Sequence, residues 1–338
     1  MAQSRSVFFT APGRVELREQ LLPAPGADQV MVETVVSAIS CGTEMLVYRG
    51  QFPRELTDEH DALSSGLHYP LPYGYACIGR VKSIGRSVNR DWEGRLVFAF
   101  QPHSSHFISA PEALIPIPAS LSAEAAAFLP GMETAVNLVQ DAAPILGERA
   151  LVLGQGIIGL LTAALLHEFP LECLVTADRF SNRRAAALEA GASAALDPAS
   201  PDFRAAALRH AHATGYDLTL EVSGSPAALD DAIALTAFSG RIVIGSWYGE
   251  KQAPVDLGGK FHRSRIRLVS SQVSTIAPEL AGRWDKPRRF AVAWEALRRV
   301  RPEKWITHRF PVERAKEAYE LLDKSPGQSI QVMMTYET

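Results

Sequence analysis

A glycine-rich stretch at residues 151–159, LVLGQGIIG, constrains the fold of this chain more than any other feature. Gly154, Gly156 and Gly159 form a GxGxxG pattern that follows an apolar run of strand length and opens an apolar run of helical length. In that setting the first glycine makes a tight turn, the second lets a pyrophosphate approach the backbone, and the third lets the helix pack on the strand. The pattern therefore predicts a dinucleotide-binding turn, with phosphate contacts from Gly154, Gly156, Ile157, Ile158 and Gly159 at the helix N-terminus.

An acidic residue stands at the distance from this turn that a ribose contact requires. Asp178 comes nineteen residues after Gly159, at the end of the next predicted strand. A carboxylate there accepts hydrogen bonds from both ribose hydroxyls and repels a 2′-phosphate, which favours NAD over NADP and argues against a turn without ligand. Two interpretations of Arg179 remain open: it either stacks on the adenine or contacts a phosphate. Arg183 is either a lid over the adenine or a solvated helix residue beside Arg184.

The pattern of apolar residues divides the chain into two regions. Short alternating apolar segments separated by Pro and Gly run through residues 1–120 and are typical of a β-rich region. From Arg149 strands and helices alternate, which predicts a parallel sheet covered on both faces. The tail is predicted to be helical and to end in the strand SIQVMMTY, packed on the β-rich region. The expected fold is α/β, with one domain of residues 1–121 and 285–338 and a second of residues 122–284.

Three further residues are predicted to line the dinucleotide. Ser223 in EVSGSP, Thr134 in METAV and Gly245 in VIGSWYG stand at predicted strand ends or helix starts. Ligands of such sheets gather at the carboxyl ends of the parallel strands, so these positions are expected to contact the cofactor.

Composition and charge exclude several classes of partner. With 34 basic and 37 acidic residues and a net charge of -3, the chain has no basic excess for binding nucleic acid or an anionic membrane. Its cysteines, Cys41, Cys77 and Cys173, show no paired spacing, which favours a reducing cytoplasm. Because the N-terminus lacks a signal-like apolar core and the longest apolar run is broken by Gln155 and glycines, we expect neither secretion nor a membrane span. A small-molecule substrate is the expected partner.

Several motifs together resemble the medium-chain dehydrogenase/reductase superfamily, the relatives of zinc alcohol dehydrogenase. They are ISCGTE at residues 39–44, a glycine-led motif near residue 74, the glycine turn near residue 154, and the closing segment ITHRFPVERAKEAYELLD. The resemblance covers essentially the whole chain. It implies a GroES-like catalytic domain made from both chain ends, a Rossmann nucleotide domain in the middle, and hydride transfer to or from a nicotinamide. It also implies a homodimer, for which residues 265–274, RIRLVSSQVS, are a candidate edge.

The catalytic zinc of that family is expected to be absent here. Carried over by position, the first metal ligand matches Cys41, but the next two positions hold Tyr75 and Ala76, and the last falls near Pro130. Zinc needs three or four N, S or O donors, and these side chains do not supply them. A rebuilt site stays open as an alternative, with Cys41 and two of the histidines His60, His68, His103 and His106. Otherwise Cys41 is a small apolar residue in the core.

Without a metal, side chains must hydrogen-bond the substrate oxygen. The resemblance implies that Thr43 relays the alcohol proton and that Glu44 ties down the backbone. Tyr75 either orients an oxyanion or fills the vacated metal pocket. His103 is either an acid/base or a surface-loop histidine. The catalytic candidates are thus Thr43, Tyr75, His103 and Cys41.

Within the superfamily, ISCGTEMLVYRGQFP is most similar to the zinc-less branch that includes bacteriochlorophyllide dehydrogenases. The chain departs from that branch by a longer segment, RELTDEHDALSSGLHY, and by Ala76. We therefore carry over a reaction class and no substrate: an NAD-linked alcohol/carbonyl oxidoreductase without zinc. The alternatives are an NADPH-dependent quinone or enone reductase and a non-catalytic nucleotide-binding protein.

Overall fold

The computed structural model describes residues 2–53, 67–211 and 214–336. These residues form two compact units. The described part of the first unit comprises residues 2–53, 67–130 and 297–336, and that of the second comprises residues 131–211 and 214–296. No helix in these ranges is both long and apolar enough to cross a membrane.

The strands are β1 Ala2–Ala11, β2 Arg14–Leu22, β3 Val30–Ile39, β4 Leu71–Pro72, β5 Cys77–Ile84, β6 Leu96–Ala99, β7 His106–Ser109, β8 Ile115–Pro116, β9 Arg149–Leu153, β10 Cys173–Ala177, β11 Ala194–Leu196, β12 Tyr216–Glu221, β13 Thr236–Ile244, β14 Arg267–Ser270, β15 Ile306–Pro311 and β16 Gln331–Thr335. The α-helices are α1 Thr43–Arg49, α2 Ala123–Ala126, α3 Leu129–Ala142, α4 Ile157–His167, α5 Ser181–Glu189, α6 Phe203–Leu208, α7 Ala228–Leu235, α8 Lys286–Val300 and α9 Ala315–Lys324.

The first unit is β-rich, and its main sheet joins both ends of the chain. That sheet has the strand order β15-β16-β3-β5-β6-β8, with β7 also paired to β3, while β2, β1 and β4 form a smaller sheet. Strand β16 pairs antiparallel with β3, Val332 lying opposite Ile39. The prediction that the tail packs back on the β-rich region is therefore confirmed. Apolar side chains from β3, β5, β6 and β7 form a core in this unit.

The second unit is a doubly wound parallel sheet, as its alternating sequence predicts. The strand order is β11-β10-β9-β12-β13-β14, with every pair parallel. This order places β9, the strand before the glycine turn, beside β12, where the direction of winding reverses and such folds bind ligands. Leu151, Val175 and Tyr216 are fully buried in the core of this sheet. Strand β14 is an edge of the sheet and lies inside the candidate edge at residues 265–274.

The division between the units falls within α3 and α8 rather than ahead of them. Residues 131–142 of α3 and residues 286–296 of α8 belong to the second unit, where the sequence placed the second division at residue 285. A buried ionic contact accounts for the difference. Arg289 in α8 is fully buried, and its guanidinium donates to Glu133 Oε1 (3.1 Å) and to Asn137 Oδ1, both in α3. A buried guanidinium requires such partners, so α8 stays with α3.

Candidate functional site

The glycine turn of the second unit has the close contacts that its pattern requires. Gly154 has a φ of +95°, and a Cβ there would lie 2.5 Å from Ser223 Cα. At Gly159 a Cβ would lie 1.9 Å from the Gly154 carbonyl oxygen. A Cβ on Gly156, in contrast, would meet only Arg183 Nη1, at 3.8 Å. The first and third glycines therefore hold the turn and the helix together, while the second leaves open space over the backbone, as a dinucleotide would need.

Asp178 follows β10 directly and lies against the glycine turn. Its Oδ2 accepts a hydrogen bond from the Gln155 backbone N–H (2.7 Å), and its Oδ1 accepts one from the Phe180 N–H (2.9 Å). Each carboxylate oxygen has a second lone pair, so both oxygens retain acceptor capacity for ribose hydroxyls. The two amides fix this carboxylate beside the turn.

The arginines after Asp178 divide into two groups. Arg183 Nη1 lies 3.9 Å from Asp178 Oδ2, and its Cζ lies 4.9 Å from the Phe180 ring centroid. Since the Arg183 side chain is only 15% exposed, its interpretation as a solvated helix residue is wrong. Arg179 also lies over the Phe180 ring, at 5.6 Å. Arg184 instead donates to the carbonyl oxygens of Asp178 and Arg179, so it holds the backbone of this loop.

The remaining predicted cofactor residues lie at the same sheet edge or on helices. Ser223 follows β12, and Gly245 follows β13, so both lie at the carboxyl ends of strands near the turn. Ile157 and Ile158 begin α4 and are partly buried. Thr134 lies in α3 and is partly buried; its contact with a cofactor stays a prediction.

Sequence reasoning missed a buried acid at this edge. Glu221 is fully buried at the end of β12. Its Oε1 accepts from the Ser223 backbone N–H (2.8 Å), and its Oε2 accepts from the Tyr248 hydroxyl (2.5 Å). Burial and the adjacent carboxylate raise the pKa of Tyr248 well above its ordinary value. The sequence could have indicated Glu221, because an acid at the end of the apolar strand YDLTLE needs a hydrogen-bonding partner with a structural or functional role.

In the first unit, the ISCGTE segment links β3 to α1. Gly42 is the N-cap of α1, and Thr43 is its first residue. Cys41 is partly buried, and its Sγ lies 3.6 Å from the Ile330 carbonyl oxygen and 3.8 Å from that of Ile39. The thiol thus lies against main-chain carbonyls.

Three hydroxyls meet where the family's second metal ligand would stand. The Tyr75 hydroxyl donates to Ser40 Oγ (2.5 Å), and Thr43 also hydrogen-bonds with Tyr75. Burial raises the pKa of Tyr75 to about 12, against the lowering effect of its hydrogen bonds with Ser40 and Thr43. We call Ser40, Thr43 and Tyr75 the hydroxyl cluster. Sequence reasoning missed Ser40, although it precedes Cys41 in the motif, because a serine there matches no metal ligand.

His103 lies in the core of the first unit, so its interpretation as a surface-loop histidine is wrong. It is 0% exposed, with Nδ1 2.7 Å from Ser37 Oγ and Nε2 2.9 Å from Glu44 Oε2. Both ring nitrogens are therefore occupied by protein groups. Glu44 Oε1 accepts from the Ser40 backbone N–H (2.8 Å), which confirms that Glu44 ties down the backbone.

The side chains present do not fit the family's tetrahedral zinc site. Of the four carried-over positions only Cys41 bears a metal donor, since Ala76 and Pro130 have none and the Tyr75 phenol is hydrogen-bonded. In residues 2–53, 67–211 and 214–336, no three His, Cys, Asp or Glu side chains lie close enough together to bind a metal ion. His68 is exposed and His106 lies beside Glu33, so neither joins Cys41 in such a group. His60 lies outside the described residues.

Comparison with known proteins agrees with this arrangement of turn, sheet and β-rich unit. A family model described as zinc-binding dehydrogenase matches residues 158–285. The L-threonine 3-dehydrogenase of Stenotrophomonas maltophilia strain K279a is 22% identical over 350 residues, which cover 95% of this chain and 96% of that protein.

Solved structures share the whole fold. The short chain alcohol dehydrogenase RspB of Escherichia coli CFT073, complexed with the cofactor NADH, has a TM-score of 0.78 at 20% identity, over 98% of this chain and 99% of that one. A protein of Sinorhizobium meliloti 1021 described as a zinc-binding dehydrogenase, bound to NADP, has a TM-score of 0.78 at 18% identity, over 99% of this chain and 100% of that one. At these identities the structural likeness shows the fold. Together with the family model and the relative of nearly equal length, it leads to one conclusion. The comparisons support the medium-chain dehydrogenase/reductase superfamily for this chain, as an alcohol-dehydrogenase-like oxidoreductase.

Proposed function

We propose that this protein transfers a hydride between NAD(H) and an alcohol/carbonyl substrate, and that it does so without a catalytic zinc ion. The observation that carries the proposal is the hydroxyl cluster around Tyr75, which stands at the position of the family's second metal ligand. Tyr75 hydrogen-bonds with Ser40 and with Thr43 there, and a phenol with hydroxyl neighbours can hydrogen-bond a substrate oxygen without a metal.

The second unit supports the choice of NAD as cofactor. Gly154, Gly156 and Gly159 would receive the pyrophosphate, and Asp178 would accept hydrogen bonds from the adenosine ribose. A bound nicotinamide supplies the hydride donor or acceptor. Because the Asp178 carboxylate is fixed by two backbone amides, it cannot swing away from a 2′-phosphate. The positive charge of the nearby Arg183 would favour the 2′-phosphate of NADP. That charge is offset by the Asp178 carboxylate, which lies within reach of the guanidinium.

The protonation state of Tyr75 suggests the direction of its proton transfer. With a pKa of about 12, the phenol keeps its proton at neutral pH and is a donor rather than a base. In carbonyl reduction, the carbonyl carbon gains a hydride and its oxygen gains a proton. Tyr75 would give that proton, Thr43 and Ser40 would hydrogen-bond the resulting phenolate, and solvent would restore the proton.

The cofactor preference is tested by titrating NADH and NADPH into the purified protein and following nicotinamide fluorescence. We expect NADH to bind at least tenfold more tightly. Equal affinity, or tighter NADPH binding, would remove the NAD assignment and favour the NADPH-dependent quinone or enone reductase.

The activity is tested on a panel of small-molecule substrates with both cofactors present. The panel contains L-threonine and other secondary alcohols, aldehydes and ketones, quinones and tetrapyrroles bearing a hydroxyethyl group. We expect NAD(H)-linked turnover on at least one alcohol/carbonyl pair. Intact dinucleotide binding with no turnover in any class would favour the non-catalytic nucleotide-binding protein. Cys41, Cys77 and Cys173 form no disulfide. Cysteines that stay reduced support a reducing, cytoplasmic setting for the proposed activity.

A further inference from the structure

A buried polar network lies behind the hydroxyl cluster in the first unit. Its central residues, Glu44 and His103, are both 0% exposed, although each side chain can carry a charge. Isolated burial of such groups is strongly unfavourable, so they persist in a core only when their hydrogen-bond partners are complete. The partners come from distant parts of the sequence: Ser37 from β3, Tyr319 from α9, and Tyr336 just after β16.

The hydrogen bonds of this network join the Glu44 carboxylate, the His103 imidazole and three hydroxyls. Ser37 Oγ lies 2.7 Å from the Tyr336 hydroxyl and 2.7 Å from His103 Nδ1, so it hydrogen-bonds with both. His103 Nε2 lies 2.9 Å from Glu44 Oε2 and hydrogen-bonds with it, and the same oxygen accepts from the Tyr319 hydroxyl (2.6 Å). Each polar side chain of the network therefore has a hydrogen-bond partner, and the Glu44 carboxylate is the acceptor that several of them share.

Two contacts connect this network to Tyr75. Glu44 holds the Ser40 turn at both ends, because its carboxylate accepts from the Ser40 N–H (2.8 Å) and its own N–H donates to the Ser40 carbonyl (3.1 Å). Ser40 Oγ in turn accepts from the Tyr75 hydroxyl. The second contact is Gly74, which has a φ of +125° and lies so close to the His103 ring that a Cβ would be 2.7 Å from Cδ2. The imidazole therefore supports the main chain that presents Tyr75.

We propose that Glu44 and His103 act as a buried positioning pair, which fixes both the phenol of Tyr75 and Ser40, the serine that accepts a hydrogen bond from that phenol. Neither residue is a catalytic residue, because protein groups occupy both ring nitrogens and both carboxylate oxygens. The pair does not relay protons to Tyr75 either, since the link from Glu44 to Ser40 passes through a peptide N–H. This inference rests on the proposed function for its kinetic consequence, but its structural claim concerns the orientation of Tyr75 alone.

The test compares His103→Leu with His103→Gln and with the matched control His106→Leu. Leucine removes both ring contacts, whereas the glutamine amide can still donate to Glu44. His106 is a partly exposed histidine three residues along the chain, paired with Ser105 and Glu33, and it does not touch the network's central residues. The first measurement is the spectrum of protein labelled with ¹³Cζ-tyrosine, in which the Tyr75 resonance is identified by its loss in Tyr75→Phe. The second measurement is kcat, KM and NADH affinity.

We expect His103→Leu to shift the Tyr75 resonance and to lower kcat about a hundredfold, as small misplacements of reacting groups do, with NADH affinity unchanged. His103→Gln should recover most of both effects, and His106→Leu should show neither. If His103→Leu does not fold, Tyr319→Phe, which removes one donor to Glu44, should shift the same resonance by less. An unmoved Tyr75 resonance in a folded His103→Leu or Tyr319→Phe protein would overturn the positioning role. If the unmodified protein shows no turnover, the proposed function is wrong. The tyrosine spectra would still test whether Glu44 and His103 position Tyr75.

Discussion

The glycine turn of the second unit and the hydroxyl cluster of the first unit are built in opposite ways. The turn is local: Gly154, Gly159 and Asp178 span a single strand, helix and strand, and they act through backbone geometry and backbone amides. The hydroxyl cluster acts through side chains, and the network behind it draws on residues from Ser37 to Tyr336. A site made by the backbone is recorded in local spacing, whereas a site made by side chains from distant segments is recorded only in tertiary structure.

The largest effect is expected from adding one methyl group within the glycine turn. In Gly159→Ala the new Cβ would lie 1.9 Å from the Gly154 carbonyl oxygen, a backbone atom that cannot move without opening the turn. We expect the free energy of unfolding to fall by about 3 kcal/mol, and NADH binding to be lost. Gly156→Ala is the matched control, because its Cβ meets only the end of a flexible arginine side chain. Its free energy of unfolding should equal that of the unmodified protein, and only its NADH affinity should fall. Equal stability of the two variants would contradict the local construction of the turn.

Tyr75→Phe tests the hydroxyl cluster with the smallest change available. Removing the phenol hydroxyl takes away the proposed proton donor while keeping the ring, so kcat should fall about a hundredfold. NADH affinity should stay unchanged, since the dinucleotide residues lie in the other unit. Tyr216→Phe is the control: it removes a buried hydroxyl that donates to the Ala207 carbonyl in the core of the second unit. It should lower stability without lowering kcat. A Tyr75→Phe enzyme with full kcat would assign the proton transfer to another group.

Asp178→Asn sharpens the assignment of the cofactor. The amide keeps one oxygen acceptor for the turn but loses the charge that excludes a 2′-phosphate. We expect NADH affinity to fall about tenfold, equivalent to about 1.4 kcal/mol, while NADPH affinity rises. Titrations of both cofactors at constant ionic strength measure the two changes. Parallel weakening of both cofactors would mean that Asp178 supports the loop and does not select the cofactor.

The smallest predicted effect is a difference in stability at alkaline pH. Burial raises the pKa of Tyr75 from 10.0 to about 12, so the folded protein holds the phenol proton more tightly than the unfolded chain does. This contribution to the free energy of unfolding is complete below about pH 10 and is lost as the pH rises through about 12. Urea unfolding at pH 9, 10 and 11 should therefore show the stability of the unmodified protein approaching that of Tyr75→Phe. A stability difference that stays constant over this range would contradict the raised pKa.

The sequence alone was sufficient where one segment determines the structure. The parallel sheet, the turn at Gly154 and the position of Asp178 after a strand all follow from apolar periodicity and glycine spacing. The return of the tail to the β-rich unit was also predicted, from the helical pattern of the tail and its last strand, SIQVMMTY.

The parts that could not be predicted depend on contacts between distant residues. Nothing near His103 in the sequence indicates burial, because its partners Glu44 and Ser37 lie about sixty residues away in the chain. The division of the units within α8 likewise depends on the contact of Arg289 with α3. Ser40 was overlooked for a different reason. The family motif was searched for metal ligands, and a serine hydroxyl is not one of them.

Measuring the metal content of the active enzyme decides whether hydroxyls have replaced the metal. Elemental analysis is made on protein whose turnover is known, before and after dialysis against a chelator. We predict no stoichiometric zinc, and a kcat that the chelator leaves unchanged. One zinc ion per chain that disappears together with activity in Cys41→Ser would contradict this account.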